Sequence, residues 1–283
     1  MPWPALPKNV IEDPRLRDRE LVFRDREEAG RALVKLLKPE VKGPGRVLAI
    51  PCGGVPVGKL VAEGLNFELD LIVARKLQLP WNPEAGFGAV TAEGPVYLNQ
   101  ELFVAAGLTQ EDFDRAEAKT RAEVRRREKL FRGERPAPEL KGREVMVVDD
   151  GLASGYTMLA AVKWVKEQKP ERLIVAVPTA SLGSLIRISP EANLVAAANV
   201  RTGLSFAVAN AYENWHDVKD QEVLDARPGQ EATLTQARHG QGAAKTQFRK
   251  KSVQASVQGT LTTWPPWRSL ARPTRSNQGQ HPG

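Results

Sequence analysis

The residues best able to do chemistry stand close together. Asp149 and Asp150 close an unbroken apolar run, Val145–Val148, and Gly151, Ser154, Gly155 and Thr157 follow at once. Four apolar residues in a row read as a buried strand, so the two carboxylates sit at its end. In α/β proteins that end, the C-terminal edge of a parallel sheet, is where ligands bind. After the turn the pattern becomes helical over Gly155–Lys166, with apolar Met158, Leu159, Ala161, Val162 and Val165. A helix start presents free N–H groups and a partial positive charge, which suits a phosphate. The hydroxyls of Ser154 and Thr157 add donors. One end of a ligand here should be anionic, and the part beside the carboxylates hydroxyl-rich or metal-bound.

Ribose 5-phosphate has that layout. The stretch Val145-Met146-Val147-Val148-Asp149-Asp150-Gly151-Leu152-Ala153-Ser154-Gly155-Tyr156-Thr157 resembles the diphosphate-sugar motif of type I phosphoribosyltransferases. That motif is four apolar residues, two acids, and a phosphate turn ending Ser/Thr-Gly-x-Thr. The resemblance implies that Asp149 and Asp150 hold the ribose 2′ and 3′ hydroxyls. It implies Mg2+ as cofactor, reached by the two acids indirectly through ribose or water. It assigns Ala153, Ser154, Gly155, Tyr156 and Thr157 to the 5′-phosphate. A receiver-like domain also ends strands in acids, but places its acid pair near the N-terminus and lacks this turn. A Walker phosphate loop is excluded, because no Gly-Lys-Ser/Thr follows.

Three further segments fit the same family. Pro51-Cys52-Gly53-Gly54-Val55-Pro56 resembles its pyrophosphate loop, and glycines let backbone amides turn toward an anion. Uncharacterised bacterial and archaeal members carry Pro-Arg-Gly-Gly-Val-Pro there. Cys52 replaces that arginine, so one cation is lost, and the cysteine itself reads as a silent thiol. Taken alone, the segment could be a tight strand–helix turn. Arg75 and Lys76 follow a strand end where the family places a basic residue against pyrophosphate; solvated loop charges are the plainer reading. Leu79-Pro80-Trp81-Asn82-Pro83-Glu84 resembles the mobile loop that closes the site and excludes water. Phe206, Tyr212 and Trp215 stand in the family's hood region, where they could stack on a base or simply pack. Purine-type relatives carry an acid in the phosphate turn at the position of Ala153. Its absence argues against a 6-oxopurine enzyme and leaves the general base and the acceptor unassigned.

These residues need elements to position them. Asp25 and Glu28 suggest a capping box opening a helix to about Leu37. Arg46–Ile50 reads as a strand, with a helix after Pro56 to about Gly64. Leu69–Ala74 reads as a second strand, and Leu79–Gly94 as a long loop or hairpin. Thr109 and Asp112 should cap a charged helix ending near Gly133, to which no chemistry is assigned. Val145–Val148, Leu173–Val177 and Leu194–Ala198 complete the strands. Strands alternating with helices imply an α/β fold with a mostly parallel sheet. The resemblance sharpens this to the type I phosphoribosyltransferase fold, with a small hood and a flexible loop.

Composition bounds the rest. The 283 residues carry a net charge of +7, yet residues 227–283 hold nine Lys/Arg against one acid, so the first 226 are close to neutral. Residues 227–283 also hold eight of the thirteen glutamines and show no periodicity, which reads as a basic, disordered tail. Residues 1–21 are proline-rich and charged and read as an arm, leaving 22–226 as the phosphoribosyltransferase domain. A single cysteine and no long apolar run suggest a cytoplasmic protein without membrane partners. The expected activity is phosphoribosyl transfer from 5-phosphoribosyl 1-diphosphate to a nucleobase-like acceptor in a homo-oligomer. The alternative is a non-catalytic sensor of the same ligand, with nucleic acid bound only through the tail.

Overall fold

The computed structural model describes residues 3–203 and 206–226; the expected tail, 227–283, lies outside them. Among the described residues, nine strands and seven α-helices follow in chain order. The strands are β1 (Val10–Ile11), β2 (Gly45–Ala49), β3 (Glu68–Leu71), β4 (Ala74–Leu79), β5 (Asn82–Thr91), β6 (Tyr97–Leu98), β7 (Glu144–Val148), β8 (Arg172–Ser181) and β9 (Leu194–Arg201). The helices are α1 (Arg26–Leu37), α2 (Gly54–Leu65), α3 (Gln100–Ala105), α4 (Gln110–Arg132), α5 (Tyr156–Glu167), α6 (Leu182–Ile188) and α7 (Asp220–Asp225).

Six strands form one parallel sheet in the order β1-β9-β8-β7-β2-β3. Both faces are covered, which is why β7 is apolar at every position from Val145 on rather than alternating. Val145 and Val147 pack with Met158, Val162 and Val165 of α5. Met146 and Val148 turn the other way, onto Leu33 and Leu37 of α1 and Val57 and Val61 of α2. From β2 the chain steps outward to β3, whereas from β7 it steps the other way through β8 to β9. The strand order therefore reverses between β2 and β7, and a crevice opens at their C-terminal ends. Among the described residues no helix is long and apolar enough to cross a membrane.

Two expectations change. The single strand read over Leu69–Ala74 divides into β3, ending at Leu71, and β4, starting at Ala74. Ile72 N still bonds the Ala49 carbonyl at 3.0 Å, and Arg132 of α4 donates to the Leu71 carbonyl at 2.9 Å and to Asp70 at 3.2 Å beside the break. The chain then starts a second, antiparallel sheet, β4-β5-β6, whose β4–β5 hairpin takes up most of the region read as a loop or hairpin. The expected arm is part of the fold. Within it β1 pairs in parallel with β9, Asn9 donates to the carbonyls of Ser189 and Ala192 at 2.8 and 2.9 Å, and Asp18 accepts from Thr202.

Candidate functional site

A cleft of about 560 Å3 opens at the crevice between β2 and β7. Asp149, Asp150 and the turn Gly151–Gly155 form one side, with Thr157 and Met158 of α5; Pro51 adds to the floor, and Arg75 and Lys76 of β4 face them.

The turn ties down its carbonyls and leaves its last amides free. Its carbonyls are committed: Ser184 Oγ donates to Leu152 at 2.9 Å, Ser181 Oγ to Ala153 at 2.9 Å, and Arg187 to Ser154. The long strand β8 supports it, with Leu152 N donating to the Thr179 carbonyl at 2.9 Å and Ser181 N to the Leu152 carbonyl at 3.0 Å. Among the described residues the amides of Ala153, Ser154 and Gly155 donate to no other protein group, and no side chain caps α5. Gly155 sits at φ +81°, a left-handed conformation that turns the chain into the helix and favours glycine. Ser154 is exposed to the cleft, while Tyr156 turns aside under the Arg187 guanidinium, 4.6 Å from its ring centroid.

The loop after β2 is similar. Gly54 N bonds back to the Ile50 carbonyl at 3.0 Å, but the amides of Cys52 and Gly53 have no acceptor within the described protein. The Pro51–Cys52 peptide is cis. Both glycines are there for close packing. A Cβ on Gly53 would lie 2.0 Å from Asp150 Oδ2, and one on Gly54 would lie 2.8 Å from the Asp149 Cα. The α2 and α5 N-termini thus flank the aspartate pair on neighbouring strands, two partly positive ends around one cleft.

The two aspartates differ. Asp149 Oδ1 accepts the Asp150 amide at 2.8 Å. Asp150 Oδ2 takes Nε and Nη2 of Arg26, both at 2.9 Å. Burial pushes both carboxyls above the usual carboxylate range; the Asp150 charge drives Asp149 further up, whereas Arg26 opposes the rise at Asp150. Arg26 opens α1 and was missed from sequence. It shares the buried stripe Ala29, Gly30, Leu33 and Leu37 at helical spacing, and a charge on such a stripe is a sign of a buried partner.

Several expected site residues are placed elsewhere. The Cys52 side chain lines no part of the cleft. Arg127 of α4 donates to its sulfur at 3.1 Å, and the thiol lies 3.4 Å from Asp220 of α7. Burial pushes the Cys52 thiol up, against the opposing pull of Arg127. The helix assigned no chemistry therefore supplies an arginine that braces this loop. Tyr212 is 2% exposed and its hydroxyl donates to the Asp150 carbonyl at 2.6 Å, so it offers no face to a base. Trp215 stacks on the Arg26 guanidinium, 3.9 Å from ring centroid to carbon. Phe206 is half-buried and is not among the residues lining the cleft. From that region Val208 lines the wall instead, packed where a Cβ on Gly151 would lie 2.3 Å from it. Leu102 of α3 also lines the wall; neither carried a sequence signal.

The donor set bears on magnesium. Among the described residues no group of three or more His, Cys, Asp or Glu could cage a metal. Magnesium rarely needs one: it keeps its waters and binds through one or two carboxylates plus substrate phosphates. Asp149, which forms no ion pair among the described residues, fits that limited role.

Comparison with known proteins converges on the same region. A family model described as phosphoribosyl transferase domain matches residues 42–189, which include the loop after β2, the hairpin and the β7–α5 turn. Two Mycobacterium tuberculosis proteins, from strains CDC 1551 and H37Rv, carry names that assign them provisionally to phosphoribosyl transfer. Each is 33% identical over 233 residues, 82% of this chain and 52% of its own length. The chain thus spans about half the length of these relatives. The crystal structure of the Thermus thermophilus protein TT1426 is 36% identical, with a TM-score of 0.60, covering 73% of this chain and 97% of that one.

Proposed function

The chain belongs to the phosphoribosyl transferase domain family, and from that premise we propose that its cleft binds 5-phosphoribosyl 1-diphosphate and passes the phosphoribosyl group to a nucleobase-like acceptor. The observation that carries this reading is the convergence, around one cleft, of the free-amide β7–α5 turn, a carboxylate pair and two cations, with Pro51 of the loop after β2 at its floor.

The unpaired amides of Ala153–Gly155 and the hydroxyls of Ser154 and Thr157 receive the 5′-phosphate. Asp149 and Asp150 face the ribose hydroxyls. Arg75 and Lys76, with the amides of Cys52 and Gly53, meet the pyrophosphate. Arg75 fits this role, since burial and the nearby Arg127 charge hold its guanidinium below the usual range, and a polyanion would relieve both. Asp149 and Asp150 would hold magnesium through ribose or water, and the ion would supply neutralisation of pyrophosphate charge. A nitrogen of the acceptor then forms a bond to the anomeric carbon as the bond to the pyrophosphate oxygen breaks; that electron pair leaves with pyrophosphate. Fixing the ribose beside two negative oxygens orients the carbon and offsets its developing positive charge.

The test is an acceptor screen with the diphosphate sugar and magnesium, reading pyrophosphate release. The full chain releases pyrophosphate with at least one acceptor, and the combined Asp149→Asn, Asp150→Asn variant does not. Undiminished turnover by that variant overturns the reading.

A further inference from the structure

The buried contact between Arg26 and Asp150 is an odd thing to find behind a carboxylate pair meant for sugar hydroxyls. Arg26 is 6% exposed, and all three kinds of guanidinium nitrogen are engaged: Nε and Nη2 on Asp150 Oδ2 at 2.9 Å, and Nη1 on the His216 carbonyl at 2.9 Å. Trp215 covers the guanidinium from outside. Tyr212 holds the Asp150 main chain through its carbonyl, and its ring lies 5.2 Å from that of Trp215. On the remaining side Gly53 leaves no room, since any side chain there would strike Asp150 Oδ2. Asp150 is therefore fixed by a cation from α1, a backbone clamp from the segment after β9 and the loop after β2. Asp149 accepts the Asp150 amide, shares a side-chain hydrogen bond with the Asp150 carboxyl and feels Arg26 only at a distance, forming no ion pair among the described residues.

We infer that Arg26 is a positioning residue that divides the pair, locking Asp150 in place and leaving Asp149 as the carboxylate that meets the ligand directly. The inference rests on the proposed reading of the cleft and adds a division of labour to it. Two adjacent carboxylates would repel a polyanionic sugar diphosphate. Pairing one of them with an interior guanidinium lowers the negative charge facing it while keeping both oxygen groups rigid. Burying an ion pair is a poor stabilising device, because desolvation offsets most of its attraction. A pair so enclosed is better explained by what it holds in place. Arg26, Tyr212 and Trp215 all lie outside residues 42–189, so the clamp is built by flanking segments rather than by the matched family domain.

Calorimetric titration of the full chain tests it, using 5-phosphoribosyl 1-diphosphate with magnesium and, separately, inorganic pyrophosphate with magnesium. Arg26→Gln weakens the diphosphate sugar by about tenfold or more, and Arg26→Lys, which keeps the charge, recovers most of that loss. Binding of pyrophosphate, which meets the aspartates only through magnesium that Asp149 would still hold, stays within about twofold of wild type, a split that general loosening would not produce. In an Asp150→Asn background, Arg26→Gln adds little. Unchanged sugar binding by Arg26→Gln, or equal weakening of both ligands, overturns the inference. Should Arg26→Gln fail to fold, Arg26→Lys and Asp150→Asn give the same comparison. Failure of the wild-type chain to bind the sugar at all defeats the proposed function instead. The clamp is then judged by melting temperatures alone: the losses from Arg26→Gln and Asp150→Asn are non-additive if the residues act as a pair, and additive losses count against it.

Discussion

Gly53 marks the tightest point of the site, because the Asp150 carboxylate occupies the space where a side chain would begin. Gly53→Ala must push that carboxylate off Arg26 or move the loop, an overpacking that costs about 1–3 kcal/mol. The expected result is a lower melting temperature together with weaker binding of the diphosphate sugar by calorimetry; unaltered binding would mean that the loop and the aspartate are not coupled. The carboxylate pair and its turn were legible in sequence because thirteen consecutive residues carry them. Arg26 was not, since its partner stands 124 positions away, although its place on an apolar helical stripe was a signal. Cys52 reads as a silent thiol from sequence, but its partners were not legible, since the chain brings in Arg127 and Asp220 from 75 and 168 positions away.

At the scale of elements, the start of α5 is the part on which the proposed phosphate binding depends. Its first amides are free because Gly155 takes φ +81° and because Ser181, Ser184 and Arg187 hold the turn by its carbonyls. Gly155→Ala forces an alanine into the left-handed region at a cost of about 1–2 kcal/mol. The new methyl would also meet the Ser184 Cβ at 3.3 Å. Denaturant melts should show that loss, with ribose 5-phosphate binding reduced; a variant of wild-type stability and affinity would remove the strained turn from the account. Helix signals were the most readable elements. The Thr109–Asp112 capping box forms as its spacing implies, and α1 starts at Asp25 as expected. The break between β3 and β4 was not readable. Leu69–Ala74 has the composition of one strand, and Arg132, which bonds the chain beside the break, is distant in sequence.

Across the described residues, the parallel sheet places the aspartate pair and the β7–α5 turn at one edge, β4 of the second sheet brings Arg75 and Lys76 to face them, and the reversal of strand order between β2 and β7 sets the cleft there. The alternation of strands and helices made that architecture legible. It gave no hint that residues 9–18 close the far side of the sheet, because β1 is only two residues long. Deleting residues 1–21 would uncover β9 and leave its edge unpaired, an invitation to association. Such a truncation should melt at lower temperature and aggregate in light scattering; a monodisperse protein of unchanged stability would return the segment to the status of an arm. The central claim is that the β7 edge grips a ribose 5-phosphate diphosphate through Asp149, Asp150 and the Ala153–Gly155 amides. Its most direct test is calorimetric titration of 5-phosphoribosyl 1-diphosphate into the full chain. Wild type should bind saturably and only with magnesium, and the Asp149→Asn, Asp150→Asn double variant should bind at least about a hundredfold more weakly. Equal affinity in the two proteins, or none in wild type, would contradict the account.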